Sequence, residues 1–138
     1  MRPVEHGDER YLLVKRSDES SRVRDPATGE ERYLPNEELT VLDDGPLETA
    51  ATAVEPPLRA LLRATSDDRG LGLLVELQAG GPLPVRDLMS RYDLCESDAL
   101  GLVTELRAAG LVSETTVAGE RGYALTDRGA AAVEALLS

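Results

Sequence analysis

Several residue types are scarce or absent in this chain of 138 residues, which has no Trp or Phe, one Cys, one His and one Lys. The single cysteine, Cys95, excludes an internal disulfide, and Cys95 with His6 cannot build a zinc site. Hydrophobic residues still make up 41% of the sequence, so we expect a core of Leu, Val and Ala side chains. The composition therefore predicts no metal and no other cofactor.

Long apolar runs are also absent. No stretch of about 18 apolar residues occurs, so no membrane-spanning helix is expected. Residues 1–9 lack the apolar region of a signal peptide, which predicts a protein that stays in the cytoplasm. There is no Ser-His-Asp set and no Gly-rich phosphate loop, and the carboxylates are scattered along the chain. We therefore expect no catalytic residues and no enzymatic activity.

The charge is strongly acidic, with a net charge of −11 from 26 carboxylates and 15 basic residues, of which 14 are arginine. Few lysines and many carboxylates resemble the composition of proteins from salt-loving archaea. A dense carboxylate surface stays hydrated when molar salt shortens the Debye length to a few ångströms. The same salt screens the repulsion between an acidic protein and DNA, although it also weakens phosphate contacts. Acidity alone therefore does not exclude DNA binding.

The first third of the chain alternates short apolar runs with turn residues. We predict a disordered tail over residues 1–9 and a small antiparallel β-meander over residues 10–45. Residues 10–34 hold six basic and five acidic groups, whereas the remainder of the chain carries −12. Arg22 and Arg24 share one strand face, where they could contact nucleic acid or another acidic partner. The alternative is ordinary cross-strand pairing with Glu30 or Glu31.

Helical patterns dominate the rest of the sequence. Residues 46–67 are predicted to form a helical connector, interrupted by Pro56-Pro57. Residues 68–138 contain further helices separated by cap and stop residues, followed by two strands around a glycine-bounded turn and a closing helix. The predicted class is α+β, with a small N-terminal antiparallel β-meander and connector helices before a C-terminal helical domain that carries a hairpin.

The segment from Leu106 to Gly129 is the most specific part of this pattern, and it reads LRAAGLV, then GERGYALTDRG after a short strand. Together with the helices before it, residues 68–138 resemble the winged helix-turn-helix superfamily of ArsR-, MarR- and PadR-type transcriptional regulators. The resemblance covers about half of the chain. ArsR-type metal sensing needs Cys and His clusters, which are absent, so no metal-sensing role is implied.

The resemblance implies a DNA-binding role for particular residues. It makes 84–92 the support helix, 97–109 the recognition helix and 118–122 the wing tip. The implied DNA contacts are Arg86, Arg91, Ser97, Thr104 and Arg121. Four of them have an ordinary structural alternative: an N-cap for Ser97, surface ion pairs for the two support-helix arginines, and a solvated turn for Arg121.

Two further expectations concern the recognition helix. Leu100 is expected on its buried face with Val103 and Leu106, and Cys95 is expected to be a small buried residue. The outward residues include several carboxylates and no Arg or Lys before Arg107, so strong guanine recognition by arginine is missing.

The function that these observations favour is a DNA-binding transcriptional regulator that acts on double-stranded DNA as a homodimer. Residues 129–137 and the connector helices are the expected dimer interface. Dimerisation would let two copies, each with weak affinity, bind two half-sites together. The alternative is a winged helix that serves as a protein–protein interaction module in a transcription-related or other macromolecular assembly, which the acidic recognition helix supports.

Overall fold

The computed structural model describes residues 1–138, which divide into two compact units, residues 1–55 and residues 56–138. The N-terminal unit is a five-stranded antiparallel sheet with one short helix. Its elements are β1 (Arg2–His6), β2 (Glu9–Arg16), β3 (Ser20–Arg24), β4 (Glu31–Pro35), a 3-10 turn (Asn36–Glu38), β5 (Thr40–Val41) and α1 (Pro46–Ala51). The strand order is β4-β3-β2-β1-β5.

Strand β1 corrects the prediction of a disordered tail over residues 1–9. It pairs with β2 on one side and with β5 on the other, so it is an interior strand of the sheet. Pro3 and Val4 are buried, and the pairing of Val4 with Val41 holds β5 beside β1 rather than beside β4. The prediction missed both the hairpin with the adjacent β2, which the two residues Gly7 and Asp8 connect, and the pairing with β5, which lies far away in the sequence.

The core of the N-terminal unit lies on one face of the sheet. Val4, Tyr11, Val23 and Leu34 are buried there. The hydroxyl of Tyr11 donates a hydrogen bond to Glu9 at 2.6 Å, and this bond, helped by burial, raises the pKa of Tyr11. A buried ring with a satisfied hydroxyl is the arrangement that tyrosine needs inside a protein.

The C-terminal unit contains the other five helices and a three-stranded sheet of order β6-β8-β7. Its elements are α2 (Pro56–Ala64), α3 (Asp68–Gly80), β6 (Leu83–Pro84), α4 (Val85–Arg91), α5 (Glu96–Ala108), β7 (Val112–Val117), β8 (Glu120–Leu125) and α6 (Asp127–Leu137). The predicted α+β class is therefore confirmed. The predicted connector 46–67 is divided, because α1 belongs to the first unit and α2 to the second.

Side-chain caps and one glycine set the helix ends of this unit. Asp67 caps α3 by accepting from the backbone N–H of Arg69 at 3.0 Å, and Thr126 caps α6 by accepting from Gly129 at 3.0 Å. Such caps satisfy backbone donors that no helical carbonyl can reach. Helix α5 ends at Ala108, and Gly110, just beyond the C-cap residue Ala109, has a φ of 74°, the left-handed conformation expected of a terminating glycine.

Aliphatic side chains from every helix of this unit and from the sheet build its core. The largest fully buried members are Leu61, Leu74, Leu88, Leu106, Leu111 and Val133. Each such side chain contributes about 1.5–3 kcal/mol through the area it removes from water. Helices α2 and α6 pack against each other. None of the helices combines the length and apolar character that crossing a bilayer requires.

Candidate nucleic-acid interface

Helices α4 and α5 form a helix-turn-helix. The turn between them passes through Asp93, whose φ is 54°, and is closed by a hydrogen bond from the Leu94 N–H to the Met89 carbonyl at 3.1 Å. Aspartate tolerates this left-handed conformation better than most residues. The turn lets α5 start in a new direction at Glu96. One side of α5 then faces the core and the other faces solvent.

The inward face of α5 differs from the predicted one. Ala99, Val103 and Leu106 are buried, whereas Leu100 is 37% exposed, so the expectation for Leu100 was wrong. Residues at i, i+4 and i+7 share one helical face, and this spacing puts the small Ala99 inward. Leu100 therefore lies among the outward residues of α5, close in sequence to the exposed Gly101 and Thr104.

Neither Ser97 nor Cys95 has its predicted role. The N-cap of α5 is Cys95, which makes no side-chain capping bond, and Ser97 lies in the first helical turn. Ser97 Oγ is 3.3 Å from Cys95 Sγ, and both residues are exposed. The prediction of a buried Cys95 was wrong because the residue stands at the surface end of a helix. Ser97 is consequently free of the capping role and faces solvent, as Thr104 does.

The charges on α5 itself are mainly negative. Glu96 and Asp98 occupy its first turn, where carboxylates favour the positive end of the helix dipole. Asp98 also lies 3.5 Å from a guanidinium nitrogen of Arg69 on α3. At the other end of α5, Arg107 lies 3.8 Å from Glu114 of β7. Any attraction for phosphate must therefore come from arginines on the neighbouring elements.

Strands β7 and β8 form a short wing. Their pairing runs from Val112 opposite Leu125 to Val117 opposite Glu120, so the connecting turn consists of Ala118 and Gly119 alone. Both have positive φ, 50° and 80°, as a two-residue type I′ turn requires. The predicted five-residue wing tip over 118–122 is thus two residues long, because residues 120–122 belong to β8.

Arg121 lies on β8 just beyond this turn and is the wing arginine. It donates a hydrogen bond to the Tyr123 hydroxyl at 3.1 Å, and its Nε lies 3.7 Å from Glu114. That hydrogen bond and the nearby carboxylate raise the pKa of Arg121, so the side chain stays fully charged. The side chain is 56% exposed, so its ion pair is screened by water and weak enough to exchange for a phosphate.

The two predicted arginines of α4 have different surroundings. Arg86 donates to Glu120 at 2.8 Å and so links α4 to the wing, while its side chain stays 72% exposed. Arg91 stacks over the ring of Tyr92 with 5.6 Å to the ring centroid. Arg86 and Arg121 thus both form ion pairs with carboxylates of the wing strands. Arg22 and Arg24 belong to the N-terminal unit.

Three wing residues that the sequence did not single out organise these contacts. Glu114 forms ion pairs with both Arg107 and Arg121, Glu120 accepts from Arg86, and the hydroxyl of the buried Tyr123 accepts from Arg121. The Ala118-Gly119 turn could have revealed them, since a two-residue turn fixes which residues of β7 and β8 face each other. Glu114 opposite Tyr123 follows directly from that register.

A half-open cavity of about 280 Å³ lies beside the helix-turn-helix, lined by Arg69, Gly72, Leu73, Glu76, Tyr92, Leu94 and Leu102. The Tyr92 hydroxyl donates to Glu76 at 3.1 Å and ties the end of α4 to α3. Burial of the ring, followed by this bond, raises the pKa of Tyr92. The chain holds no group of three or more His, Cys, Asp or Glu residues placed to bind a metal ion.

Comparison with known proteins gives one family and two similar solved structures. Residues 1–137 match a family described as a family of unknown function, DUF7346. No curated protein matches the sequence. A transcriptional regulator HlyU from Vibrio vulnificus CMCP6 is 26% identical with a TM-score of 0.51, covering 66% of this chain and 90% of that one. HlyU from Vibrio cholerae N16961 is 31% identical with a TM-score of 0.49, covering 58% and 87%.

Proposed function

The chain belongs to the DUF7346 family, and from the geometry of its second unit we propose that it is a DNA-binding transcriptional regulator. One observation carries the proposal: a helix-turn-helix leaves the outer face of α5 exposed, and a two-stranded wing stands next to it. This is the arrangement that lays a helix into the major groove. Similarity to the transcriptional regulator HlyU supports the same role.

Because the C-terminal unit is acidic, the arginines that would bind DNA are paired with carboxylates of the protein. DNA phosphates must replace these carboxylates when the protein binds. The C-terminal unit has eight arginines and twelve carboxylates, a net charge of −4. Arg86 and Arg121 are held by Glu120 and Glu114 in exposed pairs, which a DNA phosphate can displace. Ser97 and Thr104 then contact base edges or phosphates from α5. Salt screens the repulsion from the remaining carboxylates.

The direct experiment is selection of genomic DNA fragments by the purified full chain, followed by sequencing, over a series of KCl concentrations at which circular dichroism shows folded protein. Enrichment of a few sites that share a palindrome supports a sequence-specific dimeric regulator. Absence of enrichment from folded protein at every KCl concentration contradicts the proposal.

Arg121→Ala is expected to weaken binding to a selected site by about threefold to tenfold and to reduce the slope of log affinity against log salt by about 1, as the loss of one phosphate contact does. Fluorescence anisotropy with a labelled duplex measures both quantities. Arg10→Ala is the matched control, because it removes the same charge from an exposed ion pair with Asp44 in the N-terminal unit, outside the proposed interface. If both variants bind like the natural protein, the wing arginine plays no part in DNA binding.

The regulator is proposed to act as a homodimer through α2 and α6. These helices pack against each other, and they leave Leu62 on α2 59% exposed and Leu137 on α6 63% exposed. Exposed leucines on adjoining helices are a suitable surface for a second copy of the chain. Dimerisation would let two weakly binding surfaces contact the two half-sites of one palindrome.

Replacing both Leu62 and Leu137 with glutamine is expected to convert the dimer to a monomer and to reduce affinity for a palindromic site by at least tenfold, because one half-site is lost. Analytical ultracentrifugation measures the mass, and anisotropy measures the affinity. Leu47→Gln is the control, since Leu47 on α1 is 81% exposed and lies in the other unit. A double variant that sediments like the natural protein would place the dimer contact elsewhere.

A second candidate function is a protein–protein interaction module. Leu100 favours it, because this exposed leucine lies on a helix with three carboxylates and one arginine. An apolar side chain surrounded by carboxylates suits a basic protein partner better than a DNA groove. The fragment selection separates the two functions, because only the DNA-binding function predicts enriched sites.

A further inference from the structure

The N-terminal sheet carries basic side chains on the face opposite its core. Strand register places Lys15 of β2, Arg22 of β3 and Tyr33 of β4 in one row across the sheet, and Arg24 opposite Glu31 in a nearby row. Directly paired residues point to the same face of an antiparallel sheet. Lys15, Arg22, Arg24 and Tyr33 therefore form one surface, which we name the basic face.

The basic face is exposed toward the β4 edge of the sheet and covered near β1, where Leu12, which pairs with Arg24, is buried. Val23 and Leu34, which alternate with these residues along β3 and β4, point to the other side and are buried in the core. On the basic face Tyr33 is 62% exposed and Lys15 is exposed, while Arg22 and Arg24 are half-buried. Strand β4 is the edge of the sheet, so nothing in the sheet extends beyond Tyr33.

The cations of this face are only partly neutralised. Arg22 lies 3.5 Å from Glu31, but the Arg24 guanidinium donates toward the Met1 sulfur at 3.5 Å, and neither Arg24 nor Lys15 has a carboxylate within ion-pair distance. In a chain with a net charge of −11, residues 10–34 carry a local charge of +1. The basic face is thus a positively charged surface on an acidic protein.

We propose that the basic face binds single-stranded nucleic acid. Surfaces of this kind combine cations that follow the phosphate backbone with an aromatic ring on which a base stacks. Lys15, Arg22 and Arg24 supply the cations, and Tyr33 supplies the ring. The bases of a duplex are already stacked on each other, so an exposed tyrosine on a sheet face suits a single strand. This site is separate from the duplex-binding α5 and wing, and it goes beyond the proposed function.

An acidic peptide is the competing occupant, and the exposed ring decides against it. Carboxylates on a peptide would pair with the three cations and would leave Tyr33 without a role. A nucleic-acid strand uses both features, since every base offers a flat face for stacking. The proposal therefore makes Tyr33, rather than the arginines alone, the distinguishing residue.

The test is fluorescence anisotropy of the full chain with a labelled oligo(dT) of about twelve nucleotides, in the lowest KCl concentration at which the protein is folded. Tyr33→Ala is expected to weaken binding about tenfold, and Tyr33→Phe to bind like the natural protein because the stacking ring remains. Arg24→Ala is expected to weaken binding about threefold and to reduce the salt slope by about 0.7. Arg69→Ala on α3 of the C-terminal unit is the charge-matched control, expected to bind as the natural protein does.

Several outcomes would overturn the proposal. The natural protein could fail to bind the oligonucleotide, or Tyr33→Ala could bind as well as Tyr33→Phe. Competition by poly-glutamate as effective as that by oligo(dT) of equal charge would mean that the face recognises acidic chains in general. A variant with an altered outer face of α5 separates the two sites, because it should lose duplex binding and keep oligo(dT) binding.

Discussion

Replacing Gly129 with alanine is expected to lower the stability of the C-terminal unit by about 3 kcal/mol and its melting temperature by roughly 10 °C or more. A Cβ atom at this position would overlap the carbonyl oxygen of Leu111 and lie 3.0 Å from its carbonyl carbon. Neither group can move cheaply. The Leu111 carbonyl accepts from the Thr126 N–H at 3.0 Å, and the Thr126 hydroxyl donates to the Gly110 carbonyl at 2.6 Å.

Thermal unfolding followed by circular dichroism measures this effect, and Gly72→Ala is its matched control. Gly72 lies inside α3 with no atom within 4 Å of an added Cβ, so alanine there should leave stability unchanged or raise it by up to about 1 kcal/mol. If Gly129→Ala had the same melting temperature as Gly72→Ala, this result would contradict the close packing of α6 on Leu111.

Replacing Gly101 with glutamate is expected to reduce affinity for the selected duplex at least a hundredfold without loss of folding. Gly101 lies on the exposed side of α5, and no atom lies within 4 Å of an added Cβ. Glutamate is a better helix former than glycine, so α5 keeps its structure. In the major groove the new carboxylate would face phosphates and base-edge acceptors without a counter-charge, and such repulsion is costly once water is removed.

Gly72→Glu makes the same substitution at another exposed helical glycine, on α3, and should bind the duplex with no more than a small loss from the added charge. Anisotropy of both variants at matched salt separates the local effect from the change in net charge. Equal affinity for the two variants would remove α5 from the DNA interface. It would then favour the protein-interaction function, in which the acidic face of α5 meets a basic partner.

The sequence predicts the C-terminal unit well because its signals are local. Thr126 and Gly110 stand where a cap and a left-handed stop are needed, and the helices between such signals repeat their apolar residues with helical spacing. Strand β6 was missed because it has two residues and exists only through its pairing with β8. A strand so short has no periodicity of its own to read.

The N-terminal sheet shows where local signals fail. Strands β2, β3 and β4 follow one another through short turns and were predicted. Strand β1 was missed although Gly7 and Asp8 join it to β2, and its other partner, β5, depends on the pairing of Val4 with Val41. Proline and charged residues at the start of the chain suggested a tail instead. No propensity of residues 2–6 indicates that a strand will later meet residues 40–41 in space.

The sequence predicts which elements carry the candidate site residues, but not the contacts that these residues make, and their role in DNA binding stays a prediction. The sequence placed Arg86 and Arg121 near the predicted support helix and wing, but it did not indicate that Glu120 and Glu114 hold them. The sequence analysis assigned Leu100 to the buried face of α5, which Ala99 occupies instead. The two residues are adjacent in the helix, so a small difference in helix rotation decides which of them is buried. Ion pairs and helix rotation both depend on the packing of neighbouring elements, which residue spacing does not determine.

The interior position of β1 also has a consequence for the order in which the chain folds as it is synthesised. Strand β5 follows the other strands of this sheet in the sequence, so one edge of β1 stays unpaired until residues 40–41 have left the ribosome. Contacts between residues so far apart are slow to form because a long loop must close first. During synthesis β1 therefore pairs first with β2 and only later with β5.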